Sequence, residues 1–211
     1  LNCYICALAK KKGAKEMKRV AEAWIPTSLA RFKMITYADQ NQDRMPHIAI
    51  VHENMDPDKA VLVRIHSECM TGDLFHSLRC DCGKQLDKAF ELVSKENGMI
   101  IYLRQEGRGI GLINKLEAYN LQDKGIDTVQ ANEELGFHPD ERNYGDAIEI
   151  LKDLKVKSIK LLTNNPDKEN AISGSDIELV ERVPIVIEPI LENMKYLQVK
   201  KDKMGHIFDT D

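Results

Sequence analysis

The 211-residue chain has no apolar run that approaches the ~18 uninterrupted residues of a membrane span. It has no strong excess of either charge: 30 Lys and Arg stand against 34 Asp and Glu, for a net charge of -4. It therefore lacks the basic surface on which general nucleic-acid binding rests. A small anionic ligand is not excluded, because a few local cations suffice for one. It lacks a signal-peptide order as well: LNCYICALAKKKGAK puts its apolar run ahead of its lysines, and no small-residue cleavage site follows. The cysteine count is five, not an even number, and Cys69, Cys80 and Cys82 are clustered. That pattern points to a reducing compartment, where clustered thiols bind metal more often than they pair, and makes the cytoplasm the expected address. No repeat, low-complexity tract or Pro/Gly/Ser linker interrupts residues 17 to 200. A single domain over 17–211 is expected, with residues 1–16, which carry Cys3 and Cys6, as a tail or an upstream remnant.

What the chain does contain is ordinary globular material, 43% apolar and 30% charged, enough to bury a core without disulfide staples. RFKMITYA (31–38), HIAIVHE (47–53) and AVLVRIHSE (60–68) read as strands separated by polar segments. After RCDCG, Leu86, Phe90 and Val93 recur at helical spacing, with a stop at Gly98. MIIYL (99–103) is a buried-strand run that leads through RQEGRGIG into a helix ending near Gly125. A second unit follows, with YGDAIEILKDL as helix, SIKLLT (158–163) as strand, and the loop NNPDK before another helical turn. The alternation predicts an α/β, three-layer α-β-α sandwich with a mixed sheet, antiparallel mainly in the N-terminal half. Ligands in such sheets gather beyond the carboxyl ends of parallel strands, and both post-strand loops carry a cation, Arg108 and Lys168.

The cysteines form C-x10-C-x-C, which matches neither the C-x2-C pairs of a zinc ribbon nor a C-x-x-C redox motif. Three thiolates can hold Zn2+ and leave a fourth position for water. Spacing alone leaves two alternatives open: unliganded buried thiols, or a structural site closed by His66 or His76. Three thiolates also weaken the metal's acidification of water, so surrounding groups must help, and Glu68, directly before Cys69, is a candidate. EGRGIG offers backbone amides at a helix start, but fits neither the dinucleotide nor the P-loop pattern.

Taken together, RIHSECMTGD, SLRCDCG, RQEGRGIG, DERNYGD and LLTNNPDK, in this order and spacing, closely resemble GTP cyclohydrolase II. The resemblance runs from about Met17 to KMGHIF and covers all but the first 16 residues. It implies a catalytic Zn2+ on Cys69, Cys80 and Cys82. It also implies conversion of GTP, with Mg2+, to formate, pyrophosphate and a diaminopyrimidinone ribosyl phosphate at the start of riboflavin synthesis. It further implies GTP contacts at Arg64, Ile65, His66, Ser67, Glu68, Gln85, Glu106, Gly107, Arg108, Thr128, Thr163 and Lys168, an active-site Tyr119, and a homodimer. Asp140 would be a proton acceptor and Arg142 a nucleophile toward the α-phosphate; a guanidinium that keeps its proton is more naturally a phosphate clamp. Asn143 as N-cap would start the next helix after Arg142 and leave Asp140 and Arg142 on one side of a loop, whereas Pro139 at the first helical position would separate them. A nucleotide-binding protein that has lost catalysis is the rival reading, disfavoured because metal, base and phosphate residues are all in place.

Overall fold

The structure, a computed structural model, describes residues 17–39 and 43–207. The expected tail or remnant, with Cys3 and Cys6, lies outside the described residues. Seven strands form one mixed sheet: β1 (Lys18–Pro26), β2 (Arg31–Ala38), β3 (His47–His52), β4 (Val61–Ser67), β5 (Met99–Leu103), β6 (Ser158–Leu162) and β7 (Glu178–Val183). Their order is β1-β2-β3-β5-β4-β6-β7. The pairs β1/β2, β2/β3 and β3/β5 are antiparallel, whereas β5/β4, β4/β6 and β6/β7 are parallel. The mixed sheet and its antiparallel N-terminal half are as the alternation of elements predicts.

Side chains alternate between the two faces with the period of two that a strand imposes. Val61, Val63, Met99, Ile101, Ile159 and Leu161 face one way and meet Ala147, Ile150 and Leu151 of helix α5 (Gly145–Asp153). Leu62, Ile100 and Leu162 face the other and meet Ala89 and Val93 of helix α2 (Cys82–Lys95). Both faces are covered, which is why β4, β5 and β6 read as near-continuous apolar runs.

The remaining helices are α1 (Met70–Asp73), α3 (Gly111–Gln122), α4 (Thr128–Glu134), α6 (Pro166–Ser173) and α7 (Met194–Met204). A 3-10 turn, Glu106–Gly109, joins β5 to α3. Helix α6 begins inside the segment NNPDK expected as a loop: Asn165 Oδ1 accepts from the Asp167 amide as a cap, and Pro166 occupies the first turn, where its missing N–H is harmless. Helix α5 begins later than the Asn143 expectation, with Tyr144 at the cap. Asn143 Oδ1 instead accepts the Gly145 amide at 2.7 Å, a local turn just ahead of the helix. Pro139 starts no helix, so residues 137 to 144 form one irregular segment.

Candidate functional site

Strand β4 ends at Ser67, and the chain passes Cys69 into the single turn α1; Cys80 and Cys82 sit where α2 begins. Two glycines let these turns meet. A Cβ on Gly83 would lie 2.3 Å from the Gly72 carbonyl oxygen, and one on Gly72 would lie 3.0 Å from Cys80 Sγ. The three sulfurs lie within 4.8 Å of one another, and no further Cys, His, Asp or Glu among the described residues joins them. Tetrahedral thiolates at about 2.3 Å from zinc would place sulfurs roughly 3.8 Å apart. Cys69 and Cys80 are 3.6 Å apart, so the donor set fits such a metal.

His66 is committed elsewhere. Its Nε2 lies 3.1 Å from both oxygens of Asp73, whose Oδ2 also accepts from the Tyr102 hydroxyl and the Cys69 amide. Burial holds the His66 imidazole below its ordinary range, so it is neutral. Neither His66 nor His76 belongs to the sulfur cluster.

The thiols polarise one another. Hydrogen bonds from Cys80 and then Cys82, with the Lys115 ammonium added, outweigh burial and hold Cys69 well below the usual thiol range. Cys80 is pushed up to about 11, chiefly by Cys69, and Cys82 is also raised. One thiolate is thus already favoured in a site of three sulfurs.

Two clefts open beside the cluster. The first is lined by the three cysteines with Ser67, Glu68, Glu106, Gly107, Arg108, Tyr119, Thr128 and Arg142. The second is lined by Arg64, His66, Gln85, Thr163 and Lys168, and shares Ser67, Cys82, Arg108 and Arg142 with the first. The structure therefore brings together all the expected site residues except Ile65 and Asp140 on one continuous surface. Ile65 is a core side chain, and its carbonyl accepts from Lys168 Nζ at 2.8 Å. Asp140 stands behind Arg142: its carboxylate accepts from the Arg142 Nε at 2.8 Å, from an Arg142 terminal nitrogen and from the Arg142 amide. Burial alone would raise the Asp140 carboxyl, but these bonds hold it below its ordinary range; the same pair keeps Arg142 raised against its own burial.

The second cleft has more buried cation than anion. Arg64 donates to the Leu162 carbonyl and to Gln85 Oε1, and Lys168 to a carbonyl, so both are bonded to neutral acceptors. Burial, then Arg64, Arg142 and Lys200, pulls the Lys168 pKa well down. Arg64 Nε and one Arg108 terminal nitrogen have no partner. Arg108 itself holds φ +62°, a left-handed conformation that a non-glycine residue adopts at a cost of about 1 kcal/mol or more. Such an arrangement of donors suits an anion with several oxygens.

Several residues of the site escaped the sequence reading. Lys115 is one: it lies four residues before the expected Tyr119 on α3 and shares its helix face, a spacing that was there to be read. Asp81, between two of the cysteines, is buried; despite burial, the Lys200 ammonium at 2.7 Å holds its carboxyl below the ordinary range. Lys200 and Tyr196 come from α7 and line the second cleft. No local signal marks them, since α7 reaches the site only through the tertiary fold.

A two-faced α/β sheet with a three-thiol cluster that could hold a metal, set beside a cation-lined cleft beyond its parallel strand ends, defines the class: an α/β protein whose thiol cluster and cationic cleft adjoin. The chain belongs to the GTP cyclohydrolase II family, whose model matches residues 18–184. It is 52% identical over 195 residues to the riboflavin biosynthesis protein RibBA of Chlorobium phaeovibrioides, covering 92% of this chain and 47% of that protein. It is 52% identical over 194 residues to RibBA of Aquifex aeolicus, with 91% and 48% covered, and 49% identical over 199 residues to RibBA of Nocardia farcinica, with 93% and 48%. The chain thus spans about half the length of the curated relatives it matches.

Proposed function

We propose that this chain hydrolyses GTP, with zinc and Mg2+, to formate, pyrophosphate and 2,5-diamino-6-(5-phosphoribosylamino)pyrimidin-4(3H)-one, the first step of riboflavin biosynthesis. One observation carries the reading: Cys82, Arg108 and Arg142 line both clefts, so a single nucleotide lying across them offers its base to the thiols and its phosphates to the cations. Family membership and the names of the RibBA relatives support the same assignment.

In this proposal Cys69, Cys80 and Cys82 hold the zinc, which when bound supplies a Lewis acid that activates water for attack at C8 of guanine. Every other task falls to the chain's own side chains. Burial raises the Tyr119 phenol above its ordinary range, so at neutral pH it keeps its proton and acts as a donor beside the thiols. Arg64, Arg108 and Lys168 receive the phosphate oxygens, with Mg2+ sharing their charge, while the Thr163 and Thr128 hydroxyls and the Ser67 to Glu68 segment complete the walls. Gln85 has its amide engaged by Arg64 and Asp81, and so fixes Arg64 as much as it offers an edge to the base.

Arg142 is proposed as a clamp on the α-phosphate rather than as a nucleophile. Its guanidinium is held protonated by Asp140, and a protonated guanidinium has no lone pair to attack with. Asp140 then acts by aiming Arg142. We extend the proposal to a single catalytic domain over 17–211, acting as a homodimer in the cytoplasm; a solution mass of about twice 24.0 kDa checks the dimer.

The deciding experiment is incubation with GTP and Mg2+, with and without a zinc chelator, following formate and pyrophosphate separately. Both products from zinc-replete protein, with formate abolished by chelation, are expected. Neither product from zinc-replete protein would end the enzymatic reading. Arg142→Ala should lower pyrophosphate release at least 100-fold, and release at the wild-type rate would remove Arg142 from the mechanism.

A further inference from the structure

Lys115 occupies a place that no phosphate-binding role accounts for. It is 8% exposed, on the inner face of α3, and its Nζ donates to Cys69 Sγ at 3.1 Å and to Glu106 Oε1 at 2.7 Å. The other oxygen of Glu106 accepts the amide of Met70, the residue directly after Cys69, at 2.5 Å. The carboxylate therefore braces two things at once: the ammonium and the turn that carries the thiol. The buried cations that lack a carboxylate, Arg64 and Lys168, line the second cleft, whereas Lys115 lines the first, against sulfur.

An ammonium buried against a thiolate changes what that sulfur can give. Three thiolates donate strongly and leave a bound dication a weaker acid than neutral histidines would. A charge-assisted hydrogen bond to one sulfur draws electron density away from it and so restores part of that acidity. Glu68, the sequence candidate for this help, is a carboxylate whose oxygen is 3.0 Å from Arg104. A carboxylate cannot donate to sulfur unless it is protonated, whereas Lys115 already does.

We infer that Lys115, fixed by Glu106, is the positioning residue that tempers the donor strength of Cys69 and so sets the electrophilicity of a metal on the three thiols. The inference rests on the metal reading proposed above. It also gives Glu106 a role distinct from substrate contact, that of holding Lys115 on the sulfur.

Cobalt substitution tests it without relying on turnover. In the wild-type protein loaded with Co2+, sulfur-to-cobalt charge-transfer bands report the energy of the sulfur lone pairs. Lys115→Met should move those bands to lower energy at unchanged cobalt stoichiometry, and Lys115→Arg should return them toward the wild-type position. With zinc, Lys115→Met should lower kcat for formate release at least tenfold, with KM for GTP within about twofold. Unshifted bands would overturn the inference, and so would a raised KM at unchanged kcat, which would make Lys115 a substrate contact. If Lys115→Met takes up no cobalt, Glu106→Gln carries the test: it keeps the ammonium and frees it, so a smaller shift in the same direction is expected, and none would overturn the assignment. A wild-type protein that binds neither cobalt nor zinc would instead defeat the metal reading beneath it.

Discussion

A methyl group added at Gly72 would lie 3.0 Å from Cys80 Sγ and 3.2 Å from Cys69 Sγ. At those distances the sulfurs must spread, and a tetrahedral donor set tolerates little spreading. Gly72→Ala is expected to weaken zinc binding at least tenfold in a chelator competition while leaving far-UV circular dichroism unchanged. Asp140 makes a different prediction. Its folded pKa is depressed, so the stability it contributes is fully present above the unfolded value of about 3.9 and is lost as pH falls through the lower folded value. Asp140→Asn should destabilise the protein by roughly 2 kcal/mol at pH 7, less than the ~3–5 kcal/mol of a fully buried pair, because the Asp140 side chain is 22% exposed. Urea midpoints of variant and wild type should keep a constant gap from pH 8 to about 5 and converge below about pH 4. The residues behind both predictions differ in how visible they are in sequence. The cysteines announce themselves, but Gly72 looks like any turn glycine until the sulfurs are in place around it.

Among the elements, legibility followed burial. Strands β2 to β6 were readable because they are buried on one or both faces, and MIIYL shows this as an unbroken apolar run. Strands β1 and β7 were not, because they are the sheet edges: eight of the nine residues of β1 are exposed, so no alternation is imposed on KRVAEAWIP. Helix α7 was unreadable for a related reason, since its sequence MKYLQVKKDKM is rich in lysine and one of these, Lys200, is buried by pairing with Asp81 rather than by the apolar core. That ion pair ties α7, which lies beyond the residues matched by the family, to the turn between Cys80 and Cys82. Lys200→Met should raise KM for GTP several-fold while zinc stoichiometry holds, since it loosens the wall that carries Tyr196. Where α1 meets α2 the tolerance is smaller still: a Cβ on Gly83 would collide with backbone at 2.3 Å. Gly83→Ala is expected to cost about 3 kcal/mol or more in chemical denaturation.

For the molecule as a whole, the two apolar clusters flanking the sheet contain Cys69, Cys80 and Cys82 in neither. The two apolar clusters are therefore built without the thiols. Removing the proposed zinc should leave the fold intact by circular dichroism and lower the unfolding free energy only by what ligand binding adds to the native state, about 4 kcal/mol when zinc is at a thousand times its Kd, read as a lower thermal midpoint. The sheet order has a consequence in time as well. Strand β4, which delivers the chain to Cys69, pairs with β6, and Arg64 of β4 donates to Leu162 of β6, a residue 98 positions later. At ribosomal rates of roughly 5–20 residues per second, some 5–20 s separate synthesis of the first from the second. During that interval the three cysteines are already made while the strand that pairs with β4 is not, so their reduced state then rests on the surroundings rather than on the finished fold.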